Sequence, residues 1–362
     1  MRKRIGILTS GGDCQSLNAT MRGFAKAMYR QEPDTCIYGF VNGYWGLMYN
    51  EYIEMTPDQF SGLLTRGGTI LGTSRQSFKY MSEPDENGMD KVELMKGTYS
   101  RLKLDALVVL GGNGSIKSAQ LLAKNGLNVV ALPKTIDNDL YGTDLTFGFH
   151  SALDVATYAI DCVHTTAASH SRVFIVEIMG HKVGWLTLYA GIAGGADIIL
   201  LPEIPYSVDA ICRGIARRRS QDHKFTIIAV AEGAKSVEEA AMSKKDYKKA
   251  LSERDTTSAA YHLAQEIQKS IQAEVRVTVP GHMQRGGSPT PYDRLIATRC
   301  GAAGAKAVKD GKFGVLVVFK NGTTTTIPLE ETAGRLKTVP ADHPLIQEAR
   351  AVGISFGSED DD

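Results

Sequence analysis

Ile5-Gly6-Ile7-Leu8-Thr9-Ser10-Gly11-Gly12-Asp13 is a short apolar run that ends in a glycine turn. Such a run reads as a buried parallel strand, and residues from about Ser16 to Arg30 then read as a helix. The pattern recurs further along. Cys36 to Val41 gives a second strand. Ala106-Leu107-Val108-Val109-Leu110 runs into Gly111-Gly112-Asn113-Gly114-Ser115 and another helix. Val129 to Leu132 runs into Pro133-Lys134-Thr135. Three strands ending in turns rich in Gly, Pro, Thr and Asp predict an open α/β sheet with its site at the carboxyl ends of the strands.

Downstream, Leu153, Ala156, Ile160 and Val163 keep helical spacing, as do Ala260, Leu263, Ala264, Ile267 and Ile271. Further strands are expected at Val173 to Ile178, Ile198 to Leu201, Thr226 to Ala231, Val275 to Val279 and Val315 to Phe319. Arg217-Arg218-Arg219 and the group Lys244, Lys245, Lys248, Lys249 read as solvated helix faces rather than polyanion sites. Ser358-Glu359-Asp360-Asp361-Asp362 reads as a solvated, frayed end.

The totals bound the function class. A chain of 362 residues, 43% hydrophobic and 22% charged, suits a soluble globular protein of two lobes or one large lobe with an insertion. A net charge of +1 gives no reason to expect nucleic acid or a membrane surface. The five cysteines are scattered without a CxxC pair, which favours reduced thiols and a cytoplasmic location over zinc or disulfides. The basic start is followed by an apolar run that stops at Leu8, too short for a signal peptide. No apolar stretch reaches the roughly 18 residues of a membrane span.

Four turns could carry chemistry. Gly11-Gly12 allows backbone N–H groups to approach an anion at a helix N-terminus. Gly111-Gly112-Asn113-Gly114-Ser115 repeats the arrangement, but is neither a P-loop nor a dinucleotide fingerprint. Leu132-Pro133-Lys134-Thr135-Ile136-Asp137-Asn138-Asp139 is the most informative. Phosphoryl transfer to a hydroxyl needs a carboxylate for the proton, a divalent cation, and donors for the equatorial oxygens. Asp137 and Asp139 can divide the first two tasks, and Thr135 with Lys134 can supply the third. An Asx-rich turn that only ends a strand or caps a helix fits the same segment. Finally, Val279-Pro280-Gly281-His282-Met283-Gln284-Arg285-Gly286-Gly287-Ser288-Pro289 reads as a loop gripping an anionic group, with Arg285 suited to a phosphate.

Taken together, the segments at 8–13, 71–75 (Leu-Gly-Thr-Ser-Arg), 111–115, 133–139, 177–181 (Glu-Ile-Met-Gly-His) and 281–289 resemble the phosphofructokinase family in identity and order. The resemblance spans roughly residues 4 to 305, and the ending from Val339 to Gly357 is similar to that of some longer bacterial members. It implies two Rossmann-like lobes with mainly parallel sheets, helices on both faces and an active site in the cleft between them. Residues 1–149 plus about 285–335 would form a large donor-binding lobe. Residues from about 150–284 plus 336–362 would form a smaller sugar-phosphate lobe.

The resemblance further implies a magnesium-dependent transfer from ATP to the 1-hydroxyl of fructose 6-phosphate. Asp137 would be the base, Thr135 would hold the moving phosphoryl group, and Asp139 with Asn113 would serve magnesium. Gly11 would offer its N–H to the donor, Arg75 would clamp the donor phosphates, and Lys134 would assist. Tyr44, Gly112, Asn113, Gly114 and Ser115 would lie along the nucleotide. Met179, Gly180, His181, Glu232, His282 and Arg285 would hold fructose 6-phosphate. Arg172 and Arg276 match arginines that reach the sugar phosphate from a neighbouring subunit, which implies a homotetramer or at least a homodimer.

The sequence departs from the family pattern at four places. Asn113 stands where Asp is usual, and gives up a charge. His181 stands where Arg is usual, so a group that titrates near neutrality replaces a fixed cation. Cys14-Gln15-Ser16 replaces the usual Pro-Gly. Arg22 matches an effector arginine, but His164 and Phe225 occupy two other effector positions. Donor choice rests on two residues. Gly114 resembles the ATP users, since a small residue leaves room for the α-phosphate. Lys134 resembles the pyrophosphate users. A bulky Asp would block a nucleotide more directly than a flexible Lys, so the balance favours ATP. Pyrophosphate dependence, and a catalytically weak paralogue that binds sugar phosphate or nucleotide, are the alternatives.

Overall fold

The structure is a computed structural model, described over residues 2–359. Met1 of the basic start and residues 360–362 of the acidic end lie outside the described residues. In chain order the strands are β1 (Arg4–Ser10), β2 (Cys36–Phe40), β3 (Tyr52–Met55), β4 (Ala106–Gly111), β5 (Val129–Thr135), β6 (Phe147–Gly148), β7 (Val173–Ile178), β8 (Ile198–Leu200), β9 (Thr226–Ala231), β10 (Val275–Thr278), β11 (Val315–Lys320) and β12 (Thr323–Pro328). The chain divides into two units, Met1–Ser151 with Arg285–Lys337, and Ala152–Gln284 with Thr338–Asp362.

The larger unit holds an eight-stranded sheet in the order β12-β11-β5-β4-β1-β2-β3, with β6 beside the end of β5. Its central strands are apolar on both faces, and Ile5, Ile7, Leu107 to Leu110 and Val129 to Leu132 are fully buried. This is what a parallel sheet covered on both sides requires. Register fixes the site. Ser10 pairs with Gly111, and Gly111 with Pro133, so the three glycine- and proline-rich turns leave the same sheet edge side by side.

Both outer strands are antiparallel: β3 on β2 and β12 on β11. Neither was expected, because Thr323 to Thr326 shows no apolar alternation. Its β-branched residues need only the ladder that β11 offers. The strand expected to stop at Leu132 continues to Thr135, because Phe147 and Gly148 give Lys134 and Thr135 a pairing partner.

The helix Leu17–Gln31 packs along Pro291–Lys309. The approach is close because Gly301 has no side chain. A Cβ there would lie 2.4 Å from the Thr20 carbonyl oxygen and 2.6 Å from the Phe24 nitrogen.

The smaller unit holds a four-stranded parallel sheet, β10-β7-β9-β8. Ile211 and Ile215 of the helix Val208–Ser220, and Ala260, Leu263 and Ile267 of Ala259–Ser270, complete its core. The spacing read from the sequence therefore places Ala260, Leu263 and Ile267 correctly. Two expectations change. Arg218 is no merely solvated residue: it pairs with the partly buried Asp197 at 2.7 Å. Glu359 of the expected frayed end pairs with Arg213. No helix among the described residues is long and apolar enough to cross a membrane.

Gly301→Ala should destabilise the protein by roughly 1–3 kcal/mol through overpacking against rigid backbone, visible as a lowered urea midpoint. An unchanged midpoint would contradict the close helix contact.

Candidate active site

The first turn is strapped rather than open. Gly11 has φ +85°, a conformation glycine adopts without strain. Its N–H donates to the Ser74 carbonyl at 3.2 Å, and its carbonyl accepts from Thr73 Oγ1 at 2.8 Å. This corrects the expectation that the Gly11 N–H faces a donor phosphate, since its one proton is already engaged in this conformation. The same contacts bring Arg75 to the turn, and its side chain is exposed. Gly12 has its own steric reason. A Cβ there would meet Arg285 Nη1 at 2.7 Å. Arg285 Nη1 donates to the Asp13 carbonyl at 2.9 Å, so the arginine expected on the sugar phosphate packs against the first turn.

The second turn starts the helix Asn113–Lys124. Ser115 Oγ donates to Ser10 Oγ at 2.9 Å, tying this turn to the first. Tyr44 is fully buried and its hydroxyl donates to the Ser115 carbonyl at 2.7 Å. It supports the helix start from behind instead of lying along a nucleotide, because a buried phenol must find an acceptor. Gly114 is exposed, with nothing within 4 Å of the place its Cβ would take.

The third turn carries the acids. Lys134 is only 3% exposed, and its ammonium donates to the Gly12 carbonyl at 2.5 Å. Burial pushes its pKa down, while Cys14, Asp137 and Asp139 pull it up and Arg285 pushes it further down. Thr135 Oγ1 accepts from the Asp137 N–H at 3.0 Å. Asn138 sits at φ +51°. Its side chain spans the loop, accepting from the Thr146 N–H at 3.1 Å and donating to the Asp144 carbonyl at 3.2 Å. The left-handed residue between the two acids turns the chain so that Asp137 is half-buried while Asp139 is buried.

Asn113 Nδ2 donates to Asp139 Oδ2 at 2.7 Å and lies 3.3 Å from the Asp139 carbonyl. Asp139 Oδ1 is buried without a hydrogen-bond partner. An orphaned buried carboxylate oxygen suits a cation. No group of three or more His, Cys, Asp and Glu stands together among the described residues. One carboxylate plus substrate phosphates is the donor set that magnesium accepts. The residues present thus fit the ion.

One residue outside the expected set organises this unit. Asp293 is fully buried at the start of the helix Pro291–Lys309. It accepts from Ser16 Oγ at 3.2 Å, Ser151 Oγ at 2.6 Å and the Gly148 N–H at 2.9 Å. Burial pushes its pKa up, and the bonds from Ser151 and Gly148 oppose that. Thr290-x-x-Asp293 is a legible helix-start signal, but its link to Ser16 spans 277 positions and has none.

In the smaller unit, the Met179 N–H donates to Gln284 Oε1 at 3.2 Å. The Gly180 and His181 N–H groups converge on Glu232 Oε1 at 3.3 and 2.7 Å. Gly180 and His181 both have positive φ, at 155° and 54°, which exposes the His181 side chain. Glu232 therefore shapes the Met-Gly-His turn with one oxygen. Gln284, quoted in its motif but not singled out, is fully buried and also donates to the Gly281 carbonyl at 3.2 Å. His282 is exposed beside it. Arg172 and Arg276 are brought together by Glu274, which pairs with Arg172 Nε at 2.7 Å and with Arg276 Nη2.

Residues 4–308 match the family model described as Phosphofructokinase. The chain is 52% identical to an ATP-dependent 6-phosphofructokinase of Spirochaeta thermophila over 359 residues, covering 98% of each chain. It is 44% identical to ATP-dependent 6-phosphofructokinase 3 of Bacteroides thetaiotaomicron, covering 98% of this chain and all of that one. Among solved structures, Pichia pastoris phosphofructokinase in the T-state aligns at 32% identity and TM-score 0.77, over 92% of this chain. The chain spans about a third of that longer polypeptide, 35%. A pyrophosphate-dependent phosphofructokinase from Nitrosospira multiformis has the same fold, with TM-score 0.79 at 20% identity over 98% of this chain and 92% of that one.

Proposed function

Because this chain belongs to the phosphofructokinase family, we propose that it transfers the γ-phosphoryl group of ATP to the 1-hydroxyl of fructose 6-phosphate. The products are fructose 1,6-bisphosphate and ADP. The observation that carries this reading is near-full-length identity of 41–52% to relatives named as ATP-dependent enzymes. The open space at Gly114 supports the same donor. Lys134, on which the case for pyrophosphate rested, gives one of its three N–H groups to the Gly12 carbonyl and does not by itself select the donor.

Asp137 takes the proton of the 1-hydroxyl as that oxygen bonds to the γ-phosphorus. The bond from phosphorus to the β,γ-bridging oxygen breaks, and ADP leaves with the electron pair. The Asp137 N–H to Thr135 Oγ1 bond fixes the acid's backbone, and the Thr135 side chain steadies the moving group. Asp139, with the amide oxygen of Asn113, would hold magnesium, which when bound neutralises charge on the donor phosphates. Arg75 meets the donor phosphates as an exposed, always-charged fork. Gly112 and Ser115 form the floor of the nucleotide site, with Tyr44 behind them.

On the acceptor side, the Met179-Gly180-His181 turn, Glu232, His282 and Arg285 receive the sugar phosphate. Arg172 and Arg276 act on a neighbouring copy in a homotetramer or homodimer, with Glu274 holding the pair. A cytoplasmic location goes with this glycolytic role.

Purified protein with magnesium and fructose 6-phosphate should form fructose 1,6-bisphosphate with ATP. Turnover with pyrophosphate alone would overturn the donor assignment. Asp137→Asn should lower kcat by about 10²- to 10⁴-fold, the usual range for a lost general base, with fructose 6-phosphate still bound by calorimetry. Wild-type kcat in that variant would refute the base. Gly114→Asp fits its surroundings sterically, so it should fold normally and raise the KM for ATP at least tenfold. An unchanged KM would remove Gly114 from the donor site.

A further inference from the structure

The loop from Asp139 to Asp144 has no regular ladder of its own beyond one bridge, Leu140 to Leu336. Its order must come from elsewhere, because irregular backbone held only by solvent does not fix a carboxylate. Two segments supply it, and the first is β11 with the turn after it. The Asp144 N–H donates to the Phe319 carbonyl at 2.8 Å, the Phe319 N–H to Thr143 Oγ1 at 2.9 Å, and the Asn321 N–H to Asp144 Oδ2 at 2.8 Å. The second is residues 332 to 337, the last of the larger unit, which run against this loop. Thr332 Oγ1 donates to the Tyr141 carbonyl at 2.7 Å, and the Arg335 guanidinium stacks 3.5 Å from the centre of the Tyr141 ring. The Lys337 N–H donates to the Asp139 carbonyl at 2.9 Å. The Lys337 ammonium donates to two consecutive carbonyls, Thr143 and Asp144, each at 2.9 Å.

The Asp144 carbonyl is a shared acceptor. It takes one bond from Lys337 and another from Asn138 Nδ2 at 3.2 Å. Asn138 is the left-handed residue that separates Asp137 from Asp139. Lys337 therefore reaches both acids, through the Asp139 carbonyl on one side and through Asp144 and Asn138 on the other. Burial lowers the Lys337 pKa to about 8, and the Asp144 and Asp139 carboxylates pull it up against that. None of this is a contact with substrate.

We propose that Lys337 is a positioning residue for phosphoryl transfer, holding the Asp137–Asp139 turn in its reactive shape by clamping the Thr143 and Asp144 carbonyls. The proposal rests on the phosphofructokinase reading of Asp137 and Asp139 for its kinetic consequences, but the ordering of the loop does not. Charge-assisted hydrogen bonds are stronger than neutral ones. Losing two of them loosens the loop locally and leaves the buried strands intact.

The test uses Lys337→Met, which keeps length and apolar bulk, and Lys337→Arg, which keeps charge and donors. Wild type and both variants are compared by steady-state kinetics with ATP and fructose 6-phosphate, by magnesium titration and by amide hydrogen exchange. In Lys337→Met, kcat should fall about tenfold or more and half-maximal magnesium should rise. The KM for fructose 6-phosphate should stay within twofold. Exchange should quicken for amides of residues 138–146 and stay unchanged for β4. Lys337→Arg should recover at least part of kcat and of the exchange protection. Unchanged exchange at 138–146 in Lys337→Met would overturn the proposal whatever the activity. So would faster exchange across the whole unit with normal kcat, which marks a purely structural residue. A wild-type protein inactive with ATP would instead count against the proposed function, and the exchange data would still decide the clamp.

Discussion

Asp293 is the constraint on which the larger unit's site depends. A carboxylate with no exposed surface must be satisfied by the protein, and each unpaired buried donor left behind would cost about 1–3 kcal/mol. Here the donors are Ser16 after the first turn, and Gly148 and Ser151 at the start of the helix Phe149–His170. Asp293 itself starts the helix Pro291–Lys309, capped by Thr290. Three stretches far apart in sequence are thus fixed by one side chain. Arg285, five residues before Thr290, can then reach Asp13 and lie over Gly12. The site's geometry follows from a buried carboxyl group that has no role in the proposed chemistry itself.

The positive groups around the first turn are similarly committed. Lys134 holds the Gly12 carbonyl and Arg285 holds the Asp13 carbonyl. Both fix the turn's backbone from basic side chains already in place, which under the proposed function would meet a donor phosphate without rearrangement. Pre-placed charge costs no reorganisation at the moment of transfer. Burial pushes the Lys134 pKa down, and Cys14, Asp137 and Asp139 pull it up. The balance of charge is local even though the chain as a whole is close to neutral, at +1.

Periodicity made the central architecture readable. Four apolar runs became β1, β2, β4 and β5, and their turns lie together because parallel register leaves no other arrangement. Spacing also placed Leu263 and Ile267 in the second core. What sequence could not supply was the long-range polar bond. Tyr44 meets Ser115 across 71 positions, and Lys337 meets Thr143 across 194. No local pattern encodes such a partner. The motifs named the right neighbourhoods, yet Gly11 spends its N–H on Ser74 and Tyr44 works from behind the nucleotide turn. β12 escaped because a threonine run carries no two-sided contrast, only a backbone that suits an edge.

These long-range bonds also give Asn113 a structural place of its own beside Asp139. Two carboxylates at 113 and 139 would repel unless a cation stood between them. The amide instead donates to Asp139 Oδ2 at 2.7 Å, so the pair is ordered through a hydrogen bond of its own. The cost is one negative charge toward the cation. The benefit is that Asp139 is held from both sides, by Asn113 at its carboxylate and by the Lys337 N–H at its carbonyl. The remaining oxygen, Oδ1, is left buried and open to a cation. The proposed magnesium site would thus take its shape from Asn113 and Lys337 before any ion binds, where two acids would need the ion to hold them together.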